Sequence, residues 1–230
     1  MGLVGLWAAF VTVVVFIISL VTWGRTFSSW LYARMLGGLG MPILGIKVKI
    51  TGVENLPKVP SFILINHQSN LDALFLGKVF PRGTVVIAKR EMLKVPLFGI
   101  ILLASRNILI DREDNAGAKK LIKDSVRTVN EDRNHIWIFP EGTRSRGRGL
   151  GKFKKGAFIM AIAAQAPIVP VVNQPLEHVV DSRKKFLKNG NHEVRILPSI
   201  PTKGLKLRDA DTLLAQVEDV FRKELATFPI

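Results

Sequence analysis

Apolar positions along this chain follow two regimes. Over residues 3–24 nearly every side chain is apolar and none is charged. That is about the length needed to cross a bilayer core of roughly 30 Å. A second mainly apolar segment, 30–46, is interrupted by Arg34, Gly37, Gly38, Gly40 and Pro42. Trp7, Trp23 and Trp30 flank the first run, as interfacial anchors do. A cleaved secretory signal fits poorly, because there is no basic start, the apolar run is long, and no small-x-small site follows. Beyond residue 46 the period changes, and short apolar runs of strand length alternate with segments of helical spacing. Strands are predicted over 47–51, 62–65, 85–88, 108–110, 136–139, 168–172 and 194–197. Helices are predicted over 71–79, 97–104, 116–129, 157–165 and 210–226. The alternation implies an α/β fold with a mixed, mostly parallel central sheet and helices on its faces. An N-terminal membrane helix pair is expected before it. The expected division is a membrane-embedded helical leader over 1–46 and an α/β domain over 47–230.

Charge changes the picture. The chain has 230 residues and a net charge of +15, yet only Arg25 and Arg34 are charged before residue 47. A basic domain tied to an apolar leader suits anionic membrane lipids. By the positive-inside tendency it would face the cytoplasm. Nucleic acid is the usual rival partner for such charge. It is not expected here, since no aromatic platform accompanies the basic runs and the chain has a single tyrosine. The absence of cysteine removes disulfides, thiolate nucleophiles and Cys-type zinc sites together. The Arg- and Gly-rich stretch 144–151 is expected to form a loop.

Of four histidines, only His67 has a chemically suggestive setting. It follows the predicted strand 62–65, in the run Asn66-His67-Gln68-Ser69-Asn70-Leu71-Asp72. A helix starting near Ser69 would fold Asp72 back towards the strand end. The carboxylate could then hold the imidazole as a base-plus-orienter pair, with a substrate hydroxyl in place of an enzyme serine. The same spacing also fits a carboxylate that merely caps the helix. A second group, Phe139-Pro140-Glu141-Gly142-Thr143-Arg144-Ser145, follows the predicted strand 136–139. Pro140 and Gly142 force a turn there. Arg144 offers a planar fork of donors to a phosphate. Glu141 could bind a substrate hydroxyl or hold a basic neighbour. Asp111-Arg112 lies just past the strand 108–110, and Lys152-Phe153-Lys154-Lys155 leads into a predicted helix, where phosphate is attracted. Hydrolysis by the same His–Asp pair is the alternative chemistry. No Gly-x-Ser-x-Gly elbow and no His-x3-His pair accompany it. The stretch 147–152 is not a phosphate loop, because Phe153 stands where Ser or Thr is required.

These blocks together resemble the glycerolipid acyltransferases, most closely the bacterial 1-acylglycerol-3-phosphate acyltransferases. His67 and Asp72 match that family's His-x4-Asp motif, and Asp111 and Arg112 its second block. Glu141-Gly142-Thr143-Arg144-Ser145 match the third, and Ile168-Val169-Pro170-Val171 the fourth. The resemblance implies acyl transfer from a thioester of acyl carrier protein or coenzyme A to lysophosphatidic acid, without metal or prosthetic group. His67 would be the general base and Asp72 its orienter. Arg112, Glu141, Gly142, Thr143 and Arg144 would bind substrate, with Lys89 a further phosphate ligand. Glycerol 3-phosphate and other lyso-lipids remain alternative acceptors. The resemblance also implies a leader embedded in one leaflet beneath the site, at a bacterial inner membrane.

Overall fold

The computed structural model describes residues 2–43, 45–111, 117–181, 186–187 and 189–229. The leader holds α1 (Gly2–Val21), α2 (Phe27–Ala33), a π-helical stretch (Arg34–Leu39) and α3 (Gly40–Ile43). Then come β1 (Ile46–Thr51), β2 (Phe62–Ile65), α4 (Asp72–Leu76), β3 (Thr84–Lys89), α5 (Phe98–Ala104) and β4 (Ile108–Ile110). They are followed by α6 (Gly117–Asn130), β5 (His135–Ile138), α7 (Gly156–Ala164) and β6 (Ile168–Asn173). The chain closes with β7 (Val180–Asp181), β8 (Phe186–Leu187), β9 (Gly190–Ile196) and α8 (Ala210–Ala226).

One seven-stranded sheet runs in the order β1-β9-β6-β2-β5-β3-β4. Its pairings are parallel except that between β6 and β9. The expected mixed, mostly parallel sheet is therefore present. β2 and β6 are buried at every position, as central strands covered on both faces must be. Side chains alternate between the two faces. Phe62, Leu64, Ile136 and Ile168 enter one core with Phe158, Val217 and Phe221, from α7 and α8. Ile63, Ile65, Trp137 and Val171 face the other way, against Leu76, Val79 and Phe80. The short antiparallel pair β7–β8 stands apart from the main sheet, and no periodicity in so few residues announces it.

The leader shares a core with the sheet domain. Val11 and Val15 of α1 are fully buried, with Leu36, Met41, Ile46, Leu74, Phe75 and Ile101. Among the described residues, no helix is long and apolar enough to cross a membrane. Two of the expected tryptophan anchors are engaged by protein. The Trp7 indole N–H donates to the carbonyls of Met35 and Leu36, and Arg82 lies 4.3 Å over the Trp30 ring. Trp23 is exposed. Backbone touches backbone where the leader crosses α4. A Cβ on Gly37 would meet the Leu74 carbonyl oxygen at 2.2 Å, and one on Gly77 would meet that of Ala33 at 2.1 Å. This close approach accompanies the end of α4 at Leu76, short of the expected Val79.

Candidate active site

Three parallel strands end side by side at one edge of the sheet. Leu64 of β2 is level with Ile138 of β5 and Pro170 of β6. Beyond them come Asn66-His67, Pro140-Glu141 and Asn173-Gln174. Ligands of open α/β sheets bind outside such carboxyl ends, and the loops here carry the polar residues.

His67 and Asp72 meet. The His67 Nδ1 lies 2.7 Å from the Asp72 Oδ2. The same oxygen accepts the backbone N–H of Gln68 at 2.7 Å and of Ser69 at 3.0 Å. α4 begins at Asp72 with no side-chain cap, so this carboxylate ties the preceding loop and holds the imidazole rather than capping the helix. Asp72 is 1% exposed and His67 20%. The His67 ring stacks on Phe139, with centroids 4.0 Å apart. With Nδ1 donating to the carboxylate, Nε2 carries the lone pair that is available for chemistry.

Glu141 ties two backbone segments together. Its Oε1 accepts the His67 backbone N–H at 2.6 Å, and its Oε2 accepts that of Gly151 at 2.8 Å. Burial pushes its carboxyl above the usual value, while the two backbone amides oppose the shift. A Cβ on Gly151 would stand 2.6 Å from that Oε2, so any larger residue there would push the carboxylate from its place. Gly142 turns the chain at φ +67, a conformation glycine adopts without strain. The loop then runs back along the histidine. Ser145 N donates to the His67 carbonyl at 2.8 Å, and Arg146 N to that of Gln68 at 3.1 Å. Arg144 precedes Ser145 and is partly buried, while Thr143 is exposed.

Of the remaining expected ligands, Lys89 stands at the same end of the sheet. Lys89 ends β3, two strands from β2, with its Nζ 2.5 Å from Glu91 Oε2. Arg112 lies outside the described residues, just past Asp111. Lys155, expected near phosphate, pairs with Asp211 of α8 at 2.6 Å.

Sequence reasoning passed over three polar residues that bind these loops together. Asn66 exchanges two hydrogen bonds with the Asn173 backbone, at 2.8 and 2.9 Å. The Gln68 amide donates to the carbonyls of Asn173 and Gln174, and its oxygen accepts from Leu176 N. The available signal was a polar residue placed directly after an apolar strand, at Asn66 and again at Asn173. Behind the loops, a cavity of about 280 Å³ opens between Asn66, Gln68, Glu141 and Ser145 and the side of α8 that carries Arg222 and Leu225.

Comparison with known proteins places this arrangement. A sequence model described as Acyltransferase matches residues 47–174. The 1-acyl-sn-glycerol-3-phosphate acyltransferase of Haemophilus influenzae is 35% identical over 195 residues, covering 84% of this chain and 80% of that protein. That of Saccharomyces cerevisiae is 37% identical over 180 residues, covering 77% and 59%. The chain spans 61% of the length of the sheep 1-acyl-sn-glycerol-3-phosphate acyltransferase alpha, at 35% identity over 76% of its own. The fold is that of the crystal structure of the 1-acyl-sn-glycerophosphate (LPA) acyltransferase PlsC from Thermotoga maritima. The TM-score is 0.74 at 23% identity, covering 97% of this chain and 94% of that one. This α/β chain, with its His–Asp pair at the end of a central strand, belongs to the acyltransferase family.

Proposed function

We propose that the chain transfers a fatty acyl group from a thioester to the sn-2 hydroxyl of 1-acylglycerol 3-phosphate, forming phosphatidic acid. The observation that carries the reading is the 2.7 Å pair of His67 Nδ1 and Asp72 Oδ2 at the mouth of the sheet. A lipid hydroxyl is a poor nucleophile near neutral pH. His67 Nε2 takes its proton while the oxygen attacks the thioester carbonyl. A C–O bond forms, the C–S bond breaks, and the imidazolium returns the proton to the thiolate. General-base assistance of this kind contributes about 100- to 10,000-fold. Buried Asp72 keeps the ring in one tautomer and balances the positive charge as it develops. Glu141 fixes the backbone of His67, so its contribution is to position the base. Arg144 and Lys89 offer donors to the acceptor phosphate, with Arg112 as a third candidate. Acyl carrier protein or coenzyme A carries the acyl group.

The leader supports lipid access. Leu3, Leu6, Phe10, Val13, Ile17 and Leu20 form one exposed apolar stripe along α1, opposite the face that packs on the domain. A helix used in this way lies in the interface and buries one face in lipid. The leader meets α4, whose first residue is Asp72, through Gly37 and Gly77. Seating the stripe in a leaflet therefore brings the site to the depth of lipid headgroups, and the basic domain favours an anionic, cytoplasmic face. The test is acyl transfer by purified protein in detergent. Lysophosphatidic acid, glycerol 3-phosphate and a neutral lyso-lipid serve as acceptors, with thioesters of each carrier. Preferred transfer to lysophosphatidic acid is expected. Transfer to glycerol 3-phosphate alone would reassign the acceptor.

A further inference from the structure

A second buried histidine lies behind the site. His192 of β9 is 1% exposed, and its Nε2 stands 2.7 Å from Asn173 Oδ1. Asn173 is fully buried at the end of β6. Its Nδ2 faces Asp72 Oδ1 at 3.4 Å, on the carboxylate oxygen that does not bind His67. The Asn173 backbone makes both bonds to Asn66, the residue before His67. The His192 ring also packs on Phe75, with centroids 4.3 Å apart, one turn along the helix that Asp72 begins.

We infer that His192 and Asn173 are positioning residues for the catalytic pair, acting through Asp72. An amide presents oxygen at one end and N–H at the other. His192, donating from Nε2, claims the oxygen of Asn173. The amide N–H group is then turned towards Asp72. Reversed, the amide would set its oxygen against a buried carboxylate, and two acceptors in a poorly solvated site repel. The carboxylate is thereby held from both sides, by Asn173 on Oδ1 and by the His67 loop on Oδ2. Packing on Phe75 fixes the start of α4 in the same stroke. His192 touches no substrate and transfers no proton.

This inference rests on His67 being the base, and the test separates the two claims. His192→Gln keeps an N–H donor near the Nε2 position, and His192→Leu keeps the packing without it. Two readouts are taken on the full chain in detergent. One is kcat and acceptor KM with lysophosphatidic acid. The other is the tautomer of the His67 ring by proton–nitrogen NMR, which needs no substrate. His192→Leu is expected to lower kcat about tenfold at unchanged KM, and to mix the His67 tautomers. His192→Gln is expected to stay within about threefold of the parent. Unchanged kcat and tautomer in the Leu variant would overturn the inference. Equal losses in Leu and Gln, the mark of a packing role, would overturn it too. If the Leu variant fails to fold, Asn173→Ser, whose backbone bonds to Asn66 survive, takes its place with the same expectations. An inactive parent would remove the proposed function, and the NMR comparison would still decide whether His192 and Asn173 set the His67 ring.

Discussion

Replacing Asp72 by Asn removes the negative charge and keeps one acceptor oxygen, so it isolates what the charge does. The oxygen can stay on the side of the three donors, His67 Nδ1 and the Gln68 and Ser69 amides, all within 3.0 Å. The new NH2 then faces the Asn173 NH2, a clash of donors across a gap of 3.4 Å in the parent. Hydrogen bonds to a charged partner are roughly twice as strong as neutral ones, and the weakened loop ties together cost about 2 kcal/mol of stability. The effect on rate is larger, because the proposed mechanism develops positive charge on the ring as the proton moves. Two unit charges about 4 Å apart, at an effective dielectric constant of about 20, attract by about 4 kcal/mol. Each 1.36 kcal/mol of barrier is about tenfold in rate. Asp72→Asn should therefore lower kcat about a thousandfold and leave the acceptor KM nearly unchanged. The assay is steady-state transfer to lysophosphatidic acid, with thermal unfolding followed on the same samples. A folded variant whose kcat stays within about threefold of the parent would refute the role given to this carboxylate.

Three further outcomes follow from other parts of the molecule. Glu141→Gln leaves one amide N–H of His67 or Gly151 facing an NH2, and should lower kcat about tenfold. The Glu141 carboxyl is raised by burial, so its stabilising contribution is complete below its unfolded value and lost as pH rises through the folded one. The parent should accordingly gain Tm over the Gln variant on acidification, and a pH-independent difference would contradict the burial argument. At the start of β5, burial lowers the His135 pKa below its usual value. Stability from the neutral ring is complete above the usual value and lost as pH falls through the lowered one, so His135→Phe should flatten the fall in Tm from pH 7 to pH 5, and an unchanged slope counts against it. On α1, Leu6, Phe10 and Ile17 are each more than half exposed. Serine at all three should remove about 3 kcal/mol of burial in lipid, about a hundredfold in partition onto anionic liposomes. Unaltered binding in a flotation assay would place the membrane contact elsewhere.

The strands were legible because each is a short apolar or alternating run that ends at Gly, Pro or a polar residue, and every strand expected over 47–197 is found. The motif residues on the loops were legible for the same reason, since they start where apolar runs stop. What the pattern could not carry is which polar group a buried side chain meets. Glu141 reads as a substrate ligand in sequence, and its oxygens go to the amides of His67 and Gly151. That pairing depends on a turn at Gly142 and on the space left by Gly151. His192 reads in sequence as one polar residue just before the predicted strand 194–197. Its meaning comes from β9 lying beside β6, a neighbour relation between strands with two others between them in the chain. The leader reads as lipid-facing on all sides, because Val11 and Val15 are no less apolar than Leu6. Only packing divides its face on the domain from the exposed stripe.

Acyl transfer by a folded His67→Ala variant, beside the parent and with lysophosphatidic acid as acceptor, tests the central claim most directly. The expected result is transfer by the parent and a loss of at least about a hundredfold in the variant, the lower bound for general-base assistance. Equal rates in the two proteins would contradict the assignment of the base to His67.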